Sequence, residues 1–379
     1  MIIGLYLLIT LLLSGLYSFL LIYILKWWSE IPDYTQPQNN SPTLQLSILI
    51  PARNEAKNIL QCLNSVLKSI HHSQHEVELI VIDDHSSDGT ATLVQNIQNP
   101  ALKLLHLKNH LQNKKVNAYK KAALAYGLEQ ASGSHVIQLD ADVIVPIHYI
   151  SQLGSALINT QAQFLAAPVV FYPDNTLLGQ FQCLDMLGMM LLTGAGIESK
   201  QWYMANGANM VYKKELASYD DSEFASGDDI FTIQQIASNS QNKVHFLKSP
   251  KLAVVTQTES GYRAFWNQRL RWATKNKHMK NPKMLLMMTI PFLNACWLVI
   301  QSFLVIGGSA LIHVTALFHL LSLVMIDYIF LAEAAKQYGR EQSLRYFLPS
   351  FFLHKIYLVL IGLSSLIINK YNWKERVVS

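Results

Sequence analysis

The sequence predicts an α/β domain with a mostly parallel sheet, plus transmembrane helices at both ends of the chain. Long uncharged apolar runs lie near both termini, and short apolar strands alternate with helical patterns between them. The 379 residues are 51% hydrophobic and 15% charged, against about 25% charged residues in a typical soluble domain. This composition excludes a disordered chain and agrees with membrane segments.

The charge and cysteine content narrow the class of protein further. The net charge of +5 is too small to indicate a nucleic-acid partner. The three cysteines, Cys62, Cys183 and Cys296, lack metal-like spacing, which disfavours a disulfide scaffold and a structural zinc site.

The first membrane segment is expected over residues 1–27. Residues 2–25 carry no charge, and at about 1.5 Å per residue they are long enough for a bilayer core of about 30 Å. A signal peptide would begin with basic residues, whereas here Lys26, Trp27 and Trp28 follow the run as an interface anchor would. We therefore expect an uncleaved transmembrane anchor.

A second membrane region is expected over residues 284–369, followed by a tail at 370–379. Residues 284–326 contain no Asp, Glu, Lys or Arg, and the run is long enough for two spans broken near Gly307. Residues 346–369 are interrupted by Lys355, so a third span and a re-entrant segment both stay open.

Basic residues suggest the topology. Seven of them, with no acid between, lie at Arg263, Arg269, Arg271, Lys275, Lys277, Lys280 and Lys283. By the positive-inside rule the middle of the chain faces the cytoplasm, with 261–283 as a basic interface helix. We expect an integral protein of the cell inner membrane with a cytoplasmic catalytic domain. A third C-terminal span would place the basic tail outside, and a re-entrant segment would not.

The segment 43–260 is predicted to form the α/β domain. Its apolar strands are expected at 46–50, 78–82, 102–107 and 135–139, and its clearest helices at 58–70 and 116–130. Such a series gives a largely parallel sheet, in which ligands bind beyond the carboxyl ends of the strands. A P-loop and a glycine-rich dinucleotide turn after the first strand are both absent.

Acidic residues follow two of these strands. Asp140 and Asp142 close the strand HVIQLD and could hold Mg²⁺ or Mn²⁺, although solvated strand-end acids would look the same. Asp84 ends another strand, in a turn that could equally be a loop and helix cap.

Two further groups of residues could carry chemistry. Asp228 and Asp229 are adjacent like charges, so one could be a general base with a raised pKa, or both could simply begin a helix. Gln268, Arg271 and Trp272 share a helix, where Arg could bind phosphate and Trp could stack on a sugar. The alternative for this helix is a plain interfacial anchor.

As an ordered set, these motifs resemble the family 2 glycosyltransferases, which are inverting nucleotide-sugar enzymes with a GT-A fold. The resemblance covers about residues 43–275 and rests on SILIPARNEAKNI, VIDDHSSDGT, NKKVNAYKKA, LDAD, ANGANM, SGDD and QRLRW. One departure is Asn113, where the family has glycine before its lysine. An anchor, a C-terminal membrane region and the ending YNWKERVVS are similar to the family's membrane-embedded branch.

The resemblance implies roles for individual residues. Those implied to bind the donor are Pro51, Arg53, Glu55, Asp84, Lys114 and Asp140. Asp142, with Asp140, would hold the metal, and Asp229, beside Asp228, would be the catalytic carboxylate. Those implied on the acceptor and diphosphate side are Asn206, Gly207, Gln268, Arg271 and Trp272.

The expected function is transfer of a sugar from a nucleotide-sugar donor, expected to be a UDP-sugar, to a membrane-associated lipid or lipid-linked saccharide. A processive polysaccharide synthase of the chitin, hyaluronan or poly-glucosamine type is the alternative within the family. A sugar-nucleotide-binding membrane scaffold without catalysis is the alternative of another class, and a metal-dependent nucleotidyltransferase is disfavoured by the Gln-x-x-Arg-Trp motif. Residues 176–196, whose only acid is Asp185, could be an interface helix on the bilayer or a buried core helix.

Overall fold

A computed structural model describes residues 2–34, 42–112, 116–219, 228–275, 281–367, 371–373 and 376–378. The α-helices in these ranges are α1 (Ile2–Glu30), α2 (Ile59–His71), α3 (Thr90–Gln95), α4 (Leu107–Leu111), α5 (Tyr119–Gln130), α6 (Tyr149–Thr160), α7 (Leu177–Ser199), α8 (Asp228–Ser238), α9 (Tyr262–Lys275), α10 (Pro282–Leu304), α11 (Ala310–Gln337) and α12 (Phe347–Ile367). The strands are β1 (Gln45–Ala52), β2 (Glu76–Asp83), β3 (Leu102–His106), β4 (His135–Leu139), β5 (Phe164–Ala166), β6 (Val169–Tyr172), β7 (Asn209–Lys213), β8 (Val244–Phe246), β9 (Val254–Gln257), β10 (Tyr371–Trp373) and β11 (Arg376–Val378). Short 3₁₀ helices lie at Lys214–Leu216, Pro250–Leu252 and Glu341–Tyr346.

The chain divides into two compact units, which are described separately. The sheet unit consists of Ile31–Tyr172, Tyr203–Gln257 and Asn372–Ser379. The helical unit consists of Met1–Glu30, Pro173–Trp202 and Thr258–Tyr371. Helix α7 therefore belongs with the apolar helices, although its sequence lies inside the range 43–260.

The sheet unit is built on seven strands in the order β3-β2-β1-β4-β7-β5-β8. Strand β1 runs parallel to both β2 and β4, β3 is parallel to β2, and β8 is parallel to β5. Strand β7 runs antiparallel to β4 on one side and to β5 on the other. The predicted α/β domain with a mostly parallel sheet is confirmed.

The predicted strands are found because parallel strands are buried on both faces and read as continuous apolar runs. In β1, Ile48, Leu49 and Ile50 are each fully buried, and the strand extends beyond the predicted 46–50 at both ends. The helix predicted over 116–130 begins only at Tyr119, since Ala118 before it has a non-helical backbone.

The helical unit holds four helices of the described chain that are long and apolar enough to cross a membrane. They are Ile3–Glu30, Pro282–Leu304, Ala310–Gln337 and Glu341–Ser365, the last covering most of α12. The break predicted near Gly307 lies between α10 and α11, and Gly307 has a φ of 78°, a value that glycine adopts without strain.

Helices α10 and α11 form a hairpin held by a buried histidine. The two ring nitrogens of His319 lie 2.6 Å from Oε1 of Gln301 and 3.2 Å from Oδ1 of Asn294. His319 is therefore level with the stretch of α10 between these two residues. Because the helices run in opposite directions, Phe292 of α10 lies level with α11 about one turn before Tyr328.

Helix α12 runs across this hairpin. The rings of Phe347, at its start, and Tyr328 are 5.2 Å apart. Near its end, a Cβ on Gly362 would lie only 2.5 Å from the ring of Phe292. Phe347 and Gly362 are separated by about 22 Å along α12. Their partners, Tyr328 and Phe292, lie within about one helical turn of each other along the axis of the hairpin. Within the predicted segment 346–369, helix α12 (Phe347–Ile367) is thus long enough to span the membrane but lies at a steep angle to its neighbours.

Lys355, the charged residue that interrupts the apolar segment 346–369, forms an ion pair in the structure. Nζ of Lys355 lies 2.7 Å from Oδ2 of Asp327 and 3.2 Å from the hydroxyl of Tyr17. The Tyr17 hydroxyl also donates to Oδ1 of Asp327 at 2.5 Å. A single buried ion pair therefore joins α1, α11 and α12.

Helix α7 is enclosed by other helices of its unit. Seventeen of its 23 residues are buried. Phe181 packs on Phe265 of α9 and Tyr357 of α12, and Gly188 meets Leu331 of α11. Of the two interpretations of residues 176–196, the burial supports a core helix.

Candidate functional site

Three parallel strands end at one edge of the sheet, and the predicted acidic residues follow them there. Ala52, the last residue of β1, pairs with Asp83, the last residue of β2, and the Asp84 amide donates to the Ala52 carbonyl at 2.8 Å. Asp140 comes directly after β4, the other neighbour of β1. The structure therefore brings Asp84 and Asp140 to the edge where such sheets bind ligands.

The loop after β1 is tied to the loop after β2. Nη1 of Arg53 donates to the carbonyls of Asp84 at 2.9 Å and His85 at 3.1 Å. The amide of Glu55 donates to the Thr90 hydroxyl at 2.8 Å, and its carboxylate accepts from Asn58. Pro51 is the second-last residue of β1 and lies at the base of this loop.

The side chain of Asp84 is buried, with 2% of the residue exposed. Its Oδ1 lies 2.9 Å from Nδ1 of His85, whose ring packs edge-on against Tyr119 at the start of α5. Asp83 accepts a hydrogen bond from the Ser86 amide at 3.2 Å and so closes the turn. These contacts fix the position of the Asp84 carboxylate.

A lysine that the sequence analysis missed lies at the first acid of the LDAD motif. Nζ of Lys120 is 2.8 Å from Oδ1 of Asp140. Lys114, the predicted lysine, lies outside the described residues. A signal for Lys120 does exist, because in a βαβ unit the helix start faces the carboxyl edge of the sheet, and Lys120 is in the first turn of α5.

The charges of three carboxylates act on one buried thiol at this edge. Burial raises the pKa of Cys62, and the negative charges of Asp142, Glu55 and Asp140 raise it further. The thiol lies 3.7 Å from the carbonyl oxygen of Asp140. These interactions place Asp142 and Glu55 in the same electrostatic environment as Asp140.

The predicted acceptor-side turn lies beside this motif. Because β7 runs antiparallel to β4, its first residue, Asn209, pairs with Leu139, just before Asp140. Asn206 and Gly207 precede β7, and Oδ1 of Asn206 accepts from the Ala208 amide at 3.0 Å. The turn is therefore adjacent to the acids in the sheet.

Asn209 anchors that turn and was not singled out in the sequence. It is fully buried, accepts from the Tyr149 hydroxyl at 2.6 Å and donates to the carbonyls of Pro168 and Leu252.

Asp229 lies in the first turn of α8. Its carboxylate accepts from the Ile230 amide at 2.8 Å, which is favourable at a helix N-terminus. Two residues on, the ring of Phe231 lies 5.0 Å from Nζ of Lys121, which links α8 to α5. The side chain of Asp228 is outside the described part of the structure.

Gln268, Arg271 and Trp272 lie on α9, in the helical unit. Nε2 of Gln268 donates to the Glu259 carboxylate at 3.1 Å. The ring of Trp272 lies 4.2 Å from Cζ of Arg269. Their proximity to the acids of the sheet unit stays a prediction.

Asp140 and Asp142 are suited to share a cation with a phosphate-bearing ligand. Among the described residues, there is no group of three or more His, Cys, Asp or Glu side chains that could hold a metal ion. Mg²⁺ and its analogues, however, are commonly bound by one or two carboxylates plus substrate phosphates. Asp140 and Asp142 therefore fit a cation that also binds a diphosphate.

Comparisons with known proteins agree with this fold. Residues 47–218 match the family described as "Glycosyl transferase family 2". The undecaprenyl-phosphate 4-deoxy-4-formamido-L-arabinose transferase of Proteus mirabilis is 34% identical over 109 residues, which cover 29% of this chain and 32% of that protein. A probable glycosyltransferase of Bacillus subtilis, YdaM, is 24% identical over 66% of this chain and 59% of its own. The chain thus spans about a third of the first relative's length and less than two thirds of the second's.

One solved structure resembles the whole chain. The mannosyltransferase PcManGT of Pyrobaculum calidifontis, solved with GDP-Man and Mn²⁺, superposes with a TM-score of 0.62 over 96% of this chain and 99% of its own, at 16% identity. At that identity the likeness concerns the fold. Residues 47–218 therefore match the glycosyl transferase family 2 model, and the chain has a GT-A-like α/β fold.

Proposed function

We propose that the protein is an inverting glycosyltransferase that moves a sugar from a nucleotide-sugar donor to an acceptor carried on a membrane lipid. The observation that carries the proposal is that Asp84, Asp140 and the Asn206 turn lie at one sheet edge of the part that matches family 2. Asp142 acts on the same buried thiol as Asp140. Four helices of the described chain are long and apolar enough to cross a membrane, which supports a membrane acceptor. The relatives named undecaprenyl-phosphate transferases support a lipid of this class.

The donor would bind along the strand ends. Asp84, held by His85, is suited to accept hydrogen bonds from a nucleobase, and we expect a UDP-sugar. Asp140 and Asp142 would hold Mg²⁺ or Mn²⁺, which would neutralise charge on the departing diphosphate. Lys120 adds a cation at the same place. Arg271 of α9 is assigned to the diphosphate as well.

The reaction itself is a single displacement. An oxygen of the acceptor forms a bond to the anomeric carbon, the bond from that carbon to the diphosphate oxygen breaks, and the configuration inverts. When the acceptor group is a hydroxyl, Asp229 takes its proton, and the nucleoside diphosphate leaves with the bonding electrons. Trp272 and Gln268 would contact the acceptor.

The chemistry of the acceptor decides how much Asp229 matters. General-base catalysis of a hydroxyl is worth about 10²–10⁴ in rate. A lipid phosphate, with a second pKa of about 6, is already largely deprotonated at pH 7 and needs little base assistance. The Asp229→Asn variant should therefore lose at least about 100-fold in kcat with a hydroxyl acceptor, and far less with a phosphate acceptor.

The test uses the full-length protein in detergent with Mn²⁺. UDP- and GDP-sugars are screened with a polyprenyl phosphate and with a polyprenyl-linked saccharide, recording nucleoside diphosphate release and the mass of the lipid product. Asp33→Asn, a change at a side chain that is 71% exposed, serves as the matched control for Asp229→Asn. If the wild-type protein transfers the sugar and Asp229→Asn keeps a normal rate with a hydroxyl acceptor, then Asp229 is not the general base. No turnover with any donor would count against the enzyme itself and favour a binding scaffold.

A further inference from the structure

A buried ion pair in the helical unit lies next to the Gln-x-x-Arg-Trp motif. Nη1 of Arg269, on α9, is 2.8 Å from Oδ2 of Asp185 on α7. The side chain of Arg269 is 1% exposed and that of Asp185 is 11% exposed. Nε2 of His354, on α12, lies 3.8 Å from the other carboxylate oxygen. Three helices thus meet at one carboxylate.

This pair is poorly built for stability. Nε and Nη2 of Arg269 are buried and have no hydrogen-bond partner among the residues that the structure describes, and leaving buried donors unpaired is costly. Burial raises the pKa of Asp185, an effect that Arg269 opposes. A buried ion pair with unsatisfied donors often contributes no more to stability than apolar side chains of similar volume would. A role other than stability is therefore needed to explain it.

The pair holds the Nη1 end of the Arg269 guanidinium close to two aromatic rings. Cζ of Arg269 lies 4.2 Å from the centroid of the Trp272 ring and 5.2 Å from that of Phe265. Residues four before and three after Arg269 share its face of the helix. With Nη1 held by Asp185, the guanidinium forms a surface against which the Trp272 ring rests.

We propose that Arg269, held by Asp185, is a positioning residue that orients Trp272 for the acceptor. Arg269 occupies an unassigned position between Gln268 and Arg271, and Asp185 lies more than 80 residues away on another helix. The proposal rests on the proposed function in one respect, the role of Trp272 in binding the acceptor. The orientation of the ring itself is independent of it.

The test compares Arg269→Lys and Asp185→Asn with Arg263→Lys, a control at an exposed position of the same helix. Lysine keeps the charge but lacks the planar group that stacks on Trp. We expect both test variants to raise the acceptor KM by about three- to thirty-fold, the range of a cation–π contact, with the donor KM unchanged. The control should behave as wild type.

A second readout follows Trp272 directly. Acrylamide quenching is measured in each background with and without Trp272→Phe, and the difference isolates this one indole among the seven tryptophans. We expect Trp272 to become more accessible in Arg269→Lys and Asp185→Asn. Melting temperatures are recorded alongside, and if Asp185→Asn fails to fold, the Arg269→Lys variant decides.

The outcomes separate the two proposals. Wild-type quenching of Trp272 in the folded variants would overturn the positioning role, whatever the activity. A lower melting temperature with unchanged Trp272 quenching and unchanged acceptor KM would reduce the pair to a structural contact. Absence of transfer by the wild-type protein with every acceptor would instead count against the proposed function and leave the quenching result to decide the role of Arg269.

Discussion

Lys120 competes with a cation for one oxygen of Asp140. Its Nζ lies 2.8 Å from that oxygen, and the two side chains are 21% and 36% exposed. A partly exposed pair of this kind is worth about 0–1 kcal/mol. In Lys120→Met, Mn²⁺ should therefore bind up to about fivefold more tightly without donor, while the donor KM rises because its diphosphate loses a positive partner. Titration of Mn²⁺ by electron paramagnetic resonance checks the first effect.

The matched control is Lys103→Met. Lys103 is exposed on β3 and contacts only the Gln130 amide oxygen, at 3.4 Å, among the interactions described for it. It should leave Mn²⁺ binding unchanged. Weaker Mn²⁺ binding in Lys120→Met would mean that the lysine supports the cation instead of competing with it.

For single residues, the sequence pattern predicts the positions of the acids at the sheet edge better than it predicts the side chains that contact them. Asp84 and Asp140 were predictable because parallel strands end at one edge and each acid directly follows an apolar strand. The lysine assigned by motif, Lys114, lies outside the described residues, while Lys120 contacts Asp140. That contact depends on where α5 begins, and helix ends are the least certain part of a sequence prediction.

Between elements, the ion pair of Lys355 and Asp327 holds three apolar helices together. The two side chains are 2% and 10% exposed, and the Tyr17 hydroxyl bonds to both. Removing one partner leaves an uncompensated buried charge, at a cost of about 3–5 kcal/mol. We expect Asp327→Ala to unfold at a clearly lower temperature in detergent, and Tyr17→Phe to lose only about 1 kcal/mol.

The double variant Asp327→Leu with Lys355→Met tests whether the instability of Asp327→Ala comes from the unpaired charge of Lys355. Because both charges are removed, its stability should return close to that of wild type. A double variant as unstable as Asp327→Ala would show that the pair itself, rather than the orphaned charge, stabilises the unit.

The pair of Lys355 and Asp327 also shows why the sequence did not predict the direction of α12. Asp327 lies just after the uncharged run 284–326, and nothing in the linear pattern relates it to Lys355. The apolar runs predicted α1, α10 and α11, since length and hydropathy suffice for them. The direction of α12 depends on contacts between residues far apart in the chain, which no periodicity encodes.

For the whole molecule, the direction of α12 bears on the side of the membrane that the C-terminus occupies. Its residues Phe347, Lys355 and Gly362 contact Tyr328, Asp327 and Phe292, respectively. Tyr328 and Asp327 lie nearer the end of α11 than its start, and Phe292 is level with them to within about one turn. Helix α12 therefore gains little depth along its length.

We accordingly expect residues 370–379 on the same side of the bilayer as the loop that follows α11. This arrangement keeps the basic residues Lys370, Lys374 and Arg376 with Lys336 and Arg345, as the positive-inside rule prefers. The measurement uses single cysteines at Ser379, Gln342 and Ser309 in a chain whose three native cysteines are replaced by alanine. A membrane-impermeant maleimide is added to intact cells and to inverted vesicles. Ser379→Cys should label from the same side as Gln342→Cys, in the loop after α11, and from the side opposite to Ser309→Cys, between α10 and α11. If it labels together with Ser309→Cys, then α12 crosses the bilayer completely and its oblique contacts reflect tilt alone.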